Sequence, residues 1–416
     1  MTPEFRLLLA MSAEARGLPL RDCYSSETAT SIDESKLATL ADRHQVCGEV
    51  TRQLRGRPGT VSERGLRLLE SRALVRRLRV ERLVQAWPIV TGTLERAGID
   101  ALLFKGPALS VQLYGSPFAR EYSDLDVLAD LQRRELGRLI SVLGPLGYRL
   151  QVPVDVDGPG GALLRRQRHD QFKMVHRSTG VILEVHCQDL GSFQKLYTAS
   201  MPELLERSDD IYWNGERIGT FGVPDHAFCV IAHGAKHAWA SLQWLVDAGA
   251  ILAGKWDVDW TALLQRFTEL GLDRALFSSL QLITSVFDLP NPIPRCAVGA
   301  SDRTVSRCLA GYARSKLQSD SHGFRNVYAR ITHLAIYLPR LKRGPAYTLA
   351  SLLRLFVPTA SDLEMVRLPG SVGFLYWLLR PVLVVLRWMG CSSSRASAWR
   401  AVSGRSRNRT SASTLP

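Results

Sequence analysis

The stretch "SDLDVLAD", residues 123–130, places carboxylates on a predicted β-strand that is otherwise apolar. Aspartate is among the poorest strand formers, and burying an unpaired carboxylate is costly. Because residues two apart in a strand point to the same face, Asp124 and Asp126 are expected side by side. Asp130 lies too far along to join them and is interpreted as a helix N-cap or a solvated residue. The chain around this strand must therefore supply something that compensates two neighbouring negative charges.

A divalent cation is the natural compensator of such a pair. Two close carboxylates raise each other's pKa unless a positive charge is near, and Mg²⁺ prefers oxygen ligands. A third carboxylate is available in "GVILEVHCQ", a predicted strand on which Glu184 shares a face with His186. Asp124, Asp126 and Glu184 are thus the candidate metal ligands. His186 is interpreted either as a partner of that site or as a hydrogen-bonded core residue.

A phosphate-binding turn is predicted upstream, at "FKGP". There an apolar strand meets a glycine and a helix N-terminus, where backbone N–H groups receive phosphate oxygens. Lys105, Gly106 and Arg120 are the candidate nucleotide-binding residues, since Lys105 is a compact charge suited to phosphate and Arg120 precedes the acids by four residues. A simpler alternative stays open, in which the aspartates only form ion pairs with Lys105 or Arg120.

Hydrophobic periodicity predicts an α+β protein, with a small mixed β-sheet core flanked by N-terminal helices and a C-terminal helical domain. A loop rich in glycine and aspartate is expected over 155–170, and one long helix from 224 to 254. Four segments are predicted: an N-terminal helical region 1–90, an α/β core 91–220, a helical domain 221–390, and a disordered basic tail 391–416.

A histidine pair lies on that long predicted helix, in "AHGAKHAWASLQW". Taken as a continuous helix, one face collects His233, Lys236, His237, Ala240, Trp244 and Asp247. Gly234 stands where the zinc motif HExxH has its glutamate, which disfavours zinc. Two interpretations remain: a packed helix with satisfied histidines, or a wall on which His233, Lys236 and His237 contact nucleotide phosphate or the acceptor across a cleft.

Positive charge is concentrated near the C-terminus. The chain carries 53 Lys and Arg against 39 Asp and Glu, but from residue 324 onward the counts are 14 and 2. This bias suits nucleic acid, an anionic membrane surface or an acidic partner, and it also suits a solvated helix face followed by a disordered tail. Nucleic acid has little further support, because no RNA- or DNA-binding signature is present.

The longest apolar stretch, "GFLYWLLRPVLVVLRWMG" over 373–390, is interrupted by Arg380, Pro381 and Arg387. These interruptions predict a core or surface helix rather than a transmembrane segment, with peripheral membrane contact as the alternative. The seven cysteines are scattered and lack metal-ligand spacing, which argues against a disulfide framework and favours a reducing, cytoplasmic location.

The stretch "LLFKGPALSVQLYGSPFAREYSDLDVLAD" resembles the signature of a nucleotidyltransferase family within the DNA polymerase β-like nucleotidyltransferase superfamily. The resemblance spans roughly 90–370 and includes the histidine helix and the later "FVPTASDLEMV". It rests on Lys105-Gly106, Arg120, Asp124-Leu-Asp126 and Glu184-Val-His186. Two features depart from the wider superfamily: Lys-Gly replaces Gly-Ser, and the third acid is glutamate.

The resemblance implies transfer of a nucleoside monophosphate from an NTP to a hydroxyl or phosphate acceptor by a two-metal mechanism. Asp124 and Asp126 would hold two Mg²⁺ ions, with Glu184 on the ion that activates the acceptor. Lys105, Arg120 and the backbone at Gly106 would neutralise phosphate charge. The acceptor, a small molecule, peptide or protein, is not identified. A non-catalytic nucleotide-binding or scaffold protein and an RNA-directed nucleotidyltransferase are the competing interpretations.

Overall fold

A computed structural model describes residues 1–21, 32–131, 135–151, 171–187, 199–294, 297–319, 331–353 and, with short gaps, 356–388. The fold is α+β, with a mixed seven-stranded sheet and helices on either side of it in the sequence, as predicted. The predicted loop over 155–170 and the predicted tail over 391–416 lie outside the described residues. Within the described residues, every helix is too short or too polar to cross a membrane.

In the described residues before the sheet there are four helices. They are α1 (Pro3–Ala15), α2 (Glu34–His44), α3 (Cys47–Arg55) and α4 (Glu63–Arg96). Thr2, Asp33 and Ser62 accept hydrogen bonds from the first turns of α1, α2 and α4, which satisfies backbone donors at those helix starts. Gln45 adopts a left-handed conformation that ends α2 and turns the chain into α3. The sequence predicts helices in this region with a turn-rich break at "RGRPGTVSERG", and the structure has helices separated by turns there, with residues 56–62 outside any helix.

The sheet region alternates strands with short helices. Its elements are β1 (Ala101–Phe104), α5 (Gly106–Tyr114), β2 (Leu125–Ala129), α6 (Leu136–Leu143), β3 (Tyr148–Leu150), β4 (Gln171–His176), β5 (Ile182–Cys187), α7 (Met201–Glu206), β6 (Asp209–Trp213) and β7 (Glu216–Thr220). The strand order is β3-β4-β5-β2-β1-β7-β6. The β2–β5 and β1–β7 pairs are parallel, and the other four pairs are antiparallel.

The two faces of the sheet have different surroundings. Leu103, Val127 and Leu183 belong to one face and pack with helices α4 and α6 in a large apolar cluster. The opposite face, which carries Phe104 and Leu128, has a smaller apolar cluster with α7. Fewer apolar side chains pack on this second face than on the first. The acids of β2 and β5 belong to this second face.

Two local predictions in the sheet need correction. The predicted strand over residues 123–130 begins only at Leu125, because Ser123 and Asp124 form a bend that brings the Asp124 carbonyl close to Gly106. The hairpin β6–β7 was not predicted, although Asn214 and Gly215 between its strands form a turn with positive φ at both residues (51° and 83°). An Asn-Gly pair between alternating runs is a strong hairpin signal.

Helices follow the sheet. They are α8 (Val223–Lys236), α9 (Leu242–Ala250), α10 (Trp260–Glu269), α11 (Asp273–Val286), α12 (Ala300–Gln318), α13 (Leu338–Leu341), α14 (Pro345–Leu353) and α15 (Leu375–Trp388), with π-helical turns at Ile251–Lys255 and Thr332–Tyr337. One apolar cluster joins helices α1–α3 to helices α8–α13, so the two ends of the chain share a core. The segment boundaries at 90, 220 and 390 stay predictions.

The predicted single helix from 224 to 254 is wrong. It is broken between α8 and α9, where Ala238 and Trp239 both have positive φ (51° each). The break lets the Trp239 ring fold back onto Gly234, and the Trp239 Nε1–H donates to Ser279 Oγ at 3.2 Å. A Cβ atom at Gly234 would lie 2.5 Å from that ring, so this helical glycine provides the space the tryptophan needs.

We expect Gly234→Ala to lower the free energy of unfolding by about 1–3 kcal/mol, because the added methyl group overpacks against a buried indole. Gly311→Ala is the matched control: Gly311 also lies inside a helix, but nothing surrounds its Cβ position within 4 Å. That control should gain about 0.5–1 kcal/mol from helix propensity. Urea denaturation measures both. Equal effects of the two substitutions would contradict the packing argument.

Candidate active site

A cavity of about 220 Å³ lies over the acid-bearing face of the sheet, between that face and helices α8 and α9. Eight of the nine residues predicted for the site line it, the exception being Lys236. The lining residues are Gln45, Lys105, Gly106, Leu109, Arg120, Tyr122, Ser123, Asp124, Asp126, Glu184, Val230, His233, His237, Trp244 and Asp247. Residues far apart in sequence are therefore brought to one place, although their roles stay predictions.

The acids of strands β2 and β5 meet through the parallel register of these strands. Asp126 pairs with Glu184 and Leu128 with His186, so the acids and the histidine share one face. Ligand atoms of Asp126, Glu184 and His186 all lie within 4.8 Å of one another. Asp124, the other predicted ligand, lies outside this group. The sequence analysis did not count His186 among the ligands, but its position makes it a further candidate.

Basic side chains neutralise two of the three predicted acids. Lys105 Nζ lies 3.2 Å from Asp126 Oδ1, and the His186 Nε2–H donates to the same oxygen at 2.9 Å. Lys173, on β4, lies 3.1 Å from Glu184. Although burial works to raise the pKa of Asp126, Lys105 and the hydrogen bond from His186 hold it well below its ordinary value. The ion pair with Lys105 considered from the sequence is present.

Asp124 has a different electrostatic environment. Its pKa is raised to about 7, first by burial and then by the negative charges of Asp126 and Glu184, against which Lys105 and Lys173 act only in part. A carboxyl group that is hard to ionise beside two other acids is what a site built for a cation would show before the cation binds. The donor atoms that the structure gathers, two carboxylates and one imidazole from Asp126, Glu184 and His186, fit a divalent metal.

The Lys105–Gly106 turn is strained and firmly held. Lys105 has φ 53° and ψ −146°, a conformation that non-glycine residues rarely adopt. Its backbone N–H donates to His226 Nε2 at 2.9 Å, and His226 Nδ1 donates to the Gln112 side chain at 2.5 Å. Gln112 is fixed in turn by donating to Asp209 and the Phe221 carbonyl.

His226 supports this turn in its neutral form. Its side chain is fully buried, and burial lowers its pKa to about 3, with the charges of Arg120 and Lys105 acting in the same direction. A neutral imidazole accepts at one ring nitrogen and donates at the other, as the contacts with Lys105 and Gln112 require. Neither His226 nor Gln112 lies in a recognisable motif, so reasoning from the sequence did not identify them.

Arg120 is held by protein groups on both terminal nitrogens. Nη2 lies 2.8 Å from Asp247 Oδ2, and Nη1 donates to the Gly106 carbonyl at 3.3 Å. Asp247 also accepts from the Tyr114 hydroxyl at 2.8 Å and from Gln243 at 2.9 Å. Arg120 therefore ties helix α9 to the start of α5, while its role as a phosphate ligand stays a prediction.

An aromatic wall, defined by His233, His237 and Trp244, faces the acids. The two histidine rings lie 4.5 Å apart, and Trp244 lies 4.8 Å and 5.7 Å from them. Burial and the charge of nearby cations lower the pKa of both histidines well below the ordinary value. The wall is thus uncharged, and its histidines would meet a substrate as hydrogen-bonding rings rather than as cations.

Comparison with known proteins supports the resemblance seen in the sequence. Residues 30–288 match the profile of a family described as "Uncharacterised nucleotidyltransferase". The chain belongs to this family. Its matched region includes the sheet, the cavity and helices α8 and α9.

Among solved structures, the chain is similar to an antigenic nucleotidyltransferase-like protein from Paracoccidioides brasiliensis. It shares 15% sequence identity, with a TM-score of 0.30, and the match covers 46% of this chain and 90% of that one. Comparison with curated protein sequences gives no match.

We expect His226→Gln to flatten the acid side of the stability profile. Burial lowers the pKa of His226 to about 3 in the folded protein. Below about pH 6.5 the unfolded chain therefore binds a proton that the folded chain does not bind, and the free energy of unfolding decreases as the pH is lowered. Removing the imidazole should reduce the decrease in the free energy of unfolding between about pH 7 and about pH 5 by about 2 kcal/mol. Urea denaturation at the two pH values measures it, and an unchanged loss would contradict the buried neutral histidine.

Proposed function

We propose that the protein is a Mg²⁺-dependent nucleotidyltransferase, which transfers a nucleoside monophosphate from an NTP to the hydroxyl or phosphate of an acceptor. The observation that carries the proposal is the register of β2 against β5, which places Asp126 beside Glu184. Membership of a nucleotidyltransferase family supports the same reaction class. The new bond joins the acceptor oxygen to the α-phosphorus, and the bond from that phosphorus to pyrophosphate breaks.

Asp124, Asp126 and Glu184 would hold the metal, and His186 would orient Asp126 through the hydrogen bond at 2.9 Å. Two bound Mg²⁺ ions supply charge stabilisation for the attacking and leaving oxygens of an in-line displacement. The raised pKa of Asp124 supports this assignment, because a carboxyl group destabilised by two neighbouring acids gains most from a nearby cation.

The phosphate groups of the NTP would be received by Lys105 and the Gly106 turn. Burial opposes the charged form of Lys105, but Asp126 outweighs it and raises its pKa, so the ammonium group stays charged at neutral pH. Helix α5 begins at this turn without a side-chain cap, which leaves backbone N–H groups for an anion. The uncharged aromatic wall would contact the nucleotide or the acceptor from the opposite side.

We expect Asp126→Asn to abolish nucleotide transfer, a loss of at least about a thousandfold, because the residue would contact both metal ions. Asp130→Asn is the matched control, since Asp130 follows the same strand but is exposed and outside the cavity. The measurement is Mg²⁺-dependent release of pyrophosphate, with radiolabelled NTP and cell extract as the source of acceptor. Unchanged transfer by Asp126→Asn would refute the assignment.

The alternative of a non-catalytic nucleotide-binding or scaffold protein gives a different outcome in the same assay. Such a protein would bind NTP, and neither the wild type nor the control variant would release pyrophosphate with any acceptor fraction. The assay therefore separates a wrong assignment of residues from a wrong assignment of reaction.

Metal binding can be measured without turnover. At a concentration near ten times its dissociation constant, Mg²⁺ should stabilise the folded protein by about 1.4 kcal/mol, which raises the melting temperature by a few degrees. Glu184→Gln should remove most of this increase, because it replaces one carboxylate ligand by a neutral amide of the same size. Asp130→Asn should keep it. An increase retained in Glu184→Gln would exclude Glu184 as a ligand.

A further inference from the structure

Helix α15, Leu375–Trp388, presents an apolar face to solvent. The preceding Phe374 is 64% exposed, and on the helix Leu378 is 71% exposed and Val382 55% exposed. Residues at three- and four-residue spacing continue this face, which comprises Phe374, Trp377, Leu378, Val382, Val385 and Leu386. Large apolar side chains gathered on one helix face mark an interaction surface more often than scattered ones do.

The other side of α15 contacts the segment that precedes it. Tyr376 is buried, and its hydroxyl donates to the Val366 carbonyl at 2.6 Å while accepting from the Leu368 N–H at 2.9 Å. Arg380 is anchored by a short ion pair to Asp362, which is fully buried. The helix thus has one side held by residues of the preceding segment and an opposite side of exposed apolar side chains.

A second helix has the same character. On α14, Leu349 is 59% exposed and Leu353 is 54% exposed, and Phe356 just beyond the helix is 46% exposed. Leu349 and Leu353 are four residues apart and therefore lie on one face of the helix. The C-terminal segment therefore carries two helices with uncovered apolar faces.

We propose that this segment binds the surface of an anionic lipid bilayer, with α15 lying in the interface. The sequence from residue 324 onward has 14 Lys and Arg against 2 Asp and Glu. Arg380 is paired with Asp362, and Arg343 with Asp273 and Asp302, so most of the basic residues are not accounted for by these ion pairs. A basic segment with an apolar, aromatic-bearing helix face combines the two attractions that hold a protein on anionic lipid. The 14 residues of α15 cannot span a bilayer but can lie along its surface.

The test is sedimentation of the full-length protein with vesicles of phosphatidylcholine alone or with about 30% phosphatidylserine. We expect binding to the anionic vesicles at least about tenfold stronger than to the neutral ones, and most of the difference should disappear near 1 M salt. Equal binding to both compositions, or no binding to either, would overturn the proposal.

Leu378→Asp should weaken binding to the anionic vesicles by about tenfold or more, because it puts a charge where an apolar side chain enters the interface. Leu74→Asp is the matched control, since Leu74 is an exposed leucine of helix α4 (60%) and the charge change is the same. Equal losses in the two variants would refute the role of α15. Leu378→Ser, compared with Leu74→Ser, repeats the test if the aspartate prevents folding.

A second copy of the chain bound to the exposed face of α15 would be detected in solution. If a second copy of the chain covers this face, the wild type will form a dimer by light scattering and Leu378→Asp a monomer, and vesicles will compete poorly. That result would overturn the lipid proposal. The outcome is independent of the proposed transferase activity, because the variants leave every residue of the catalytic cavity unchanged.

Discussion

The parallel pairing of β2 with β5 is the constraint on which the rest of the site depends. It sets Asp126 directly opposite Glu184, and the two-residue period of a strand then brings His186 to the same face. A shift of register by one residue would turn one of the two acids into the apolar cluster formed with α4. Four apolar side chains on that side are buried and therefore fix the register that positions the acids: Leu125, Val127, Leu183 and Val185.

Charge balance is the second constraint, and it extends beyond the sheet. Lys105 forms an ion pair with Asp126, His186 adds a hydrogen bond to the same carboxylate, and Lys173 forms an ion pair with Glu184. The buried Arg120–Asp247 pair extends the network to helix α9. Removing one partner of such a pair leaves a buried charge uncompensated, which usually costs about 3–5 kcal/mol. The cavity is consequently held together across elements more than a hundred residues apart in sequence.

The sequence predicted those parts of the site that depend on local pattern. The alternation in "GVILEVHCQ" placed Glu184 and His186 on one face, and the composition of "FKGP" placed a turn at Lys105 and Gly106. Features that depend on tertiary packing were missed. The break at Ala238 and Trp239 follows from the indole folding onto Gly234, and a helical periodicity does not contain this information. His226 acts through contacts with Lys105 and Gln112, which lie 121 and 114 positions earlier in the chain, so no spacing rule would identify it.

Lys105 belongs to both constraints. Its ammonium group cannot pair with Asp126 and contact nucleotide phosphate at the same time. Its ammonium group pairs with Asp126, whereas the proposed reaction requires positive charge on the phosphates and leaves Asp126 to the metal. A divalent ion at the acids would remove the need for the lysine there and release it toward an incoming triphosphate. The backbone of Lys105 would not move with it, since the His226–Gln112 chain holds its N–H from the other side. Metal binding would thus favour nucleotide binding, and the reverse, because the Lys105 side chain would change partner while its backbone stays in place.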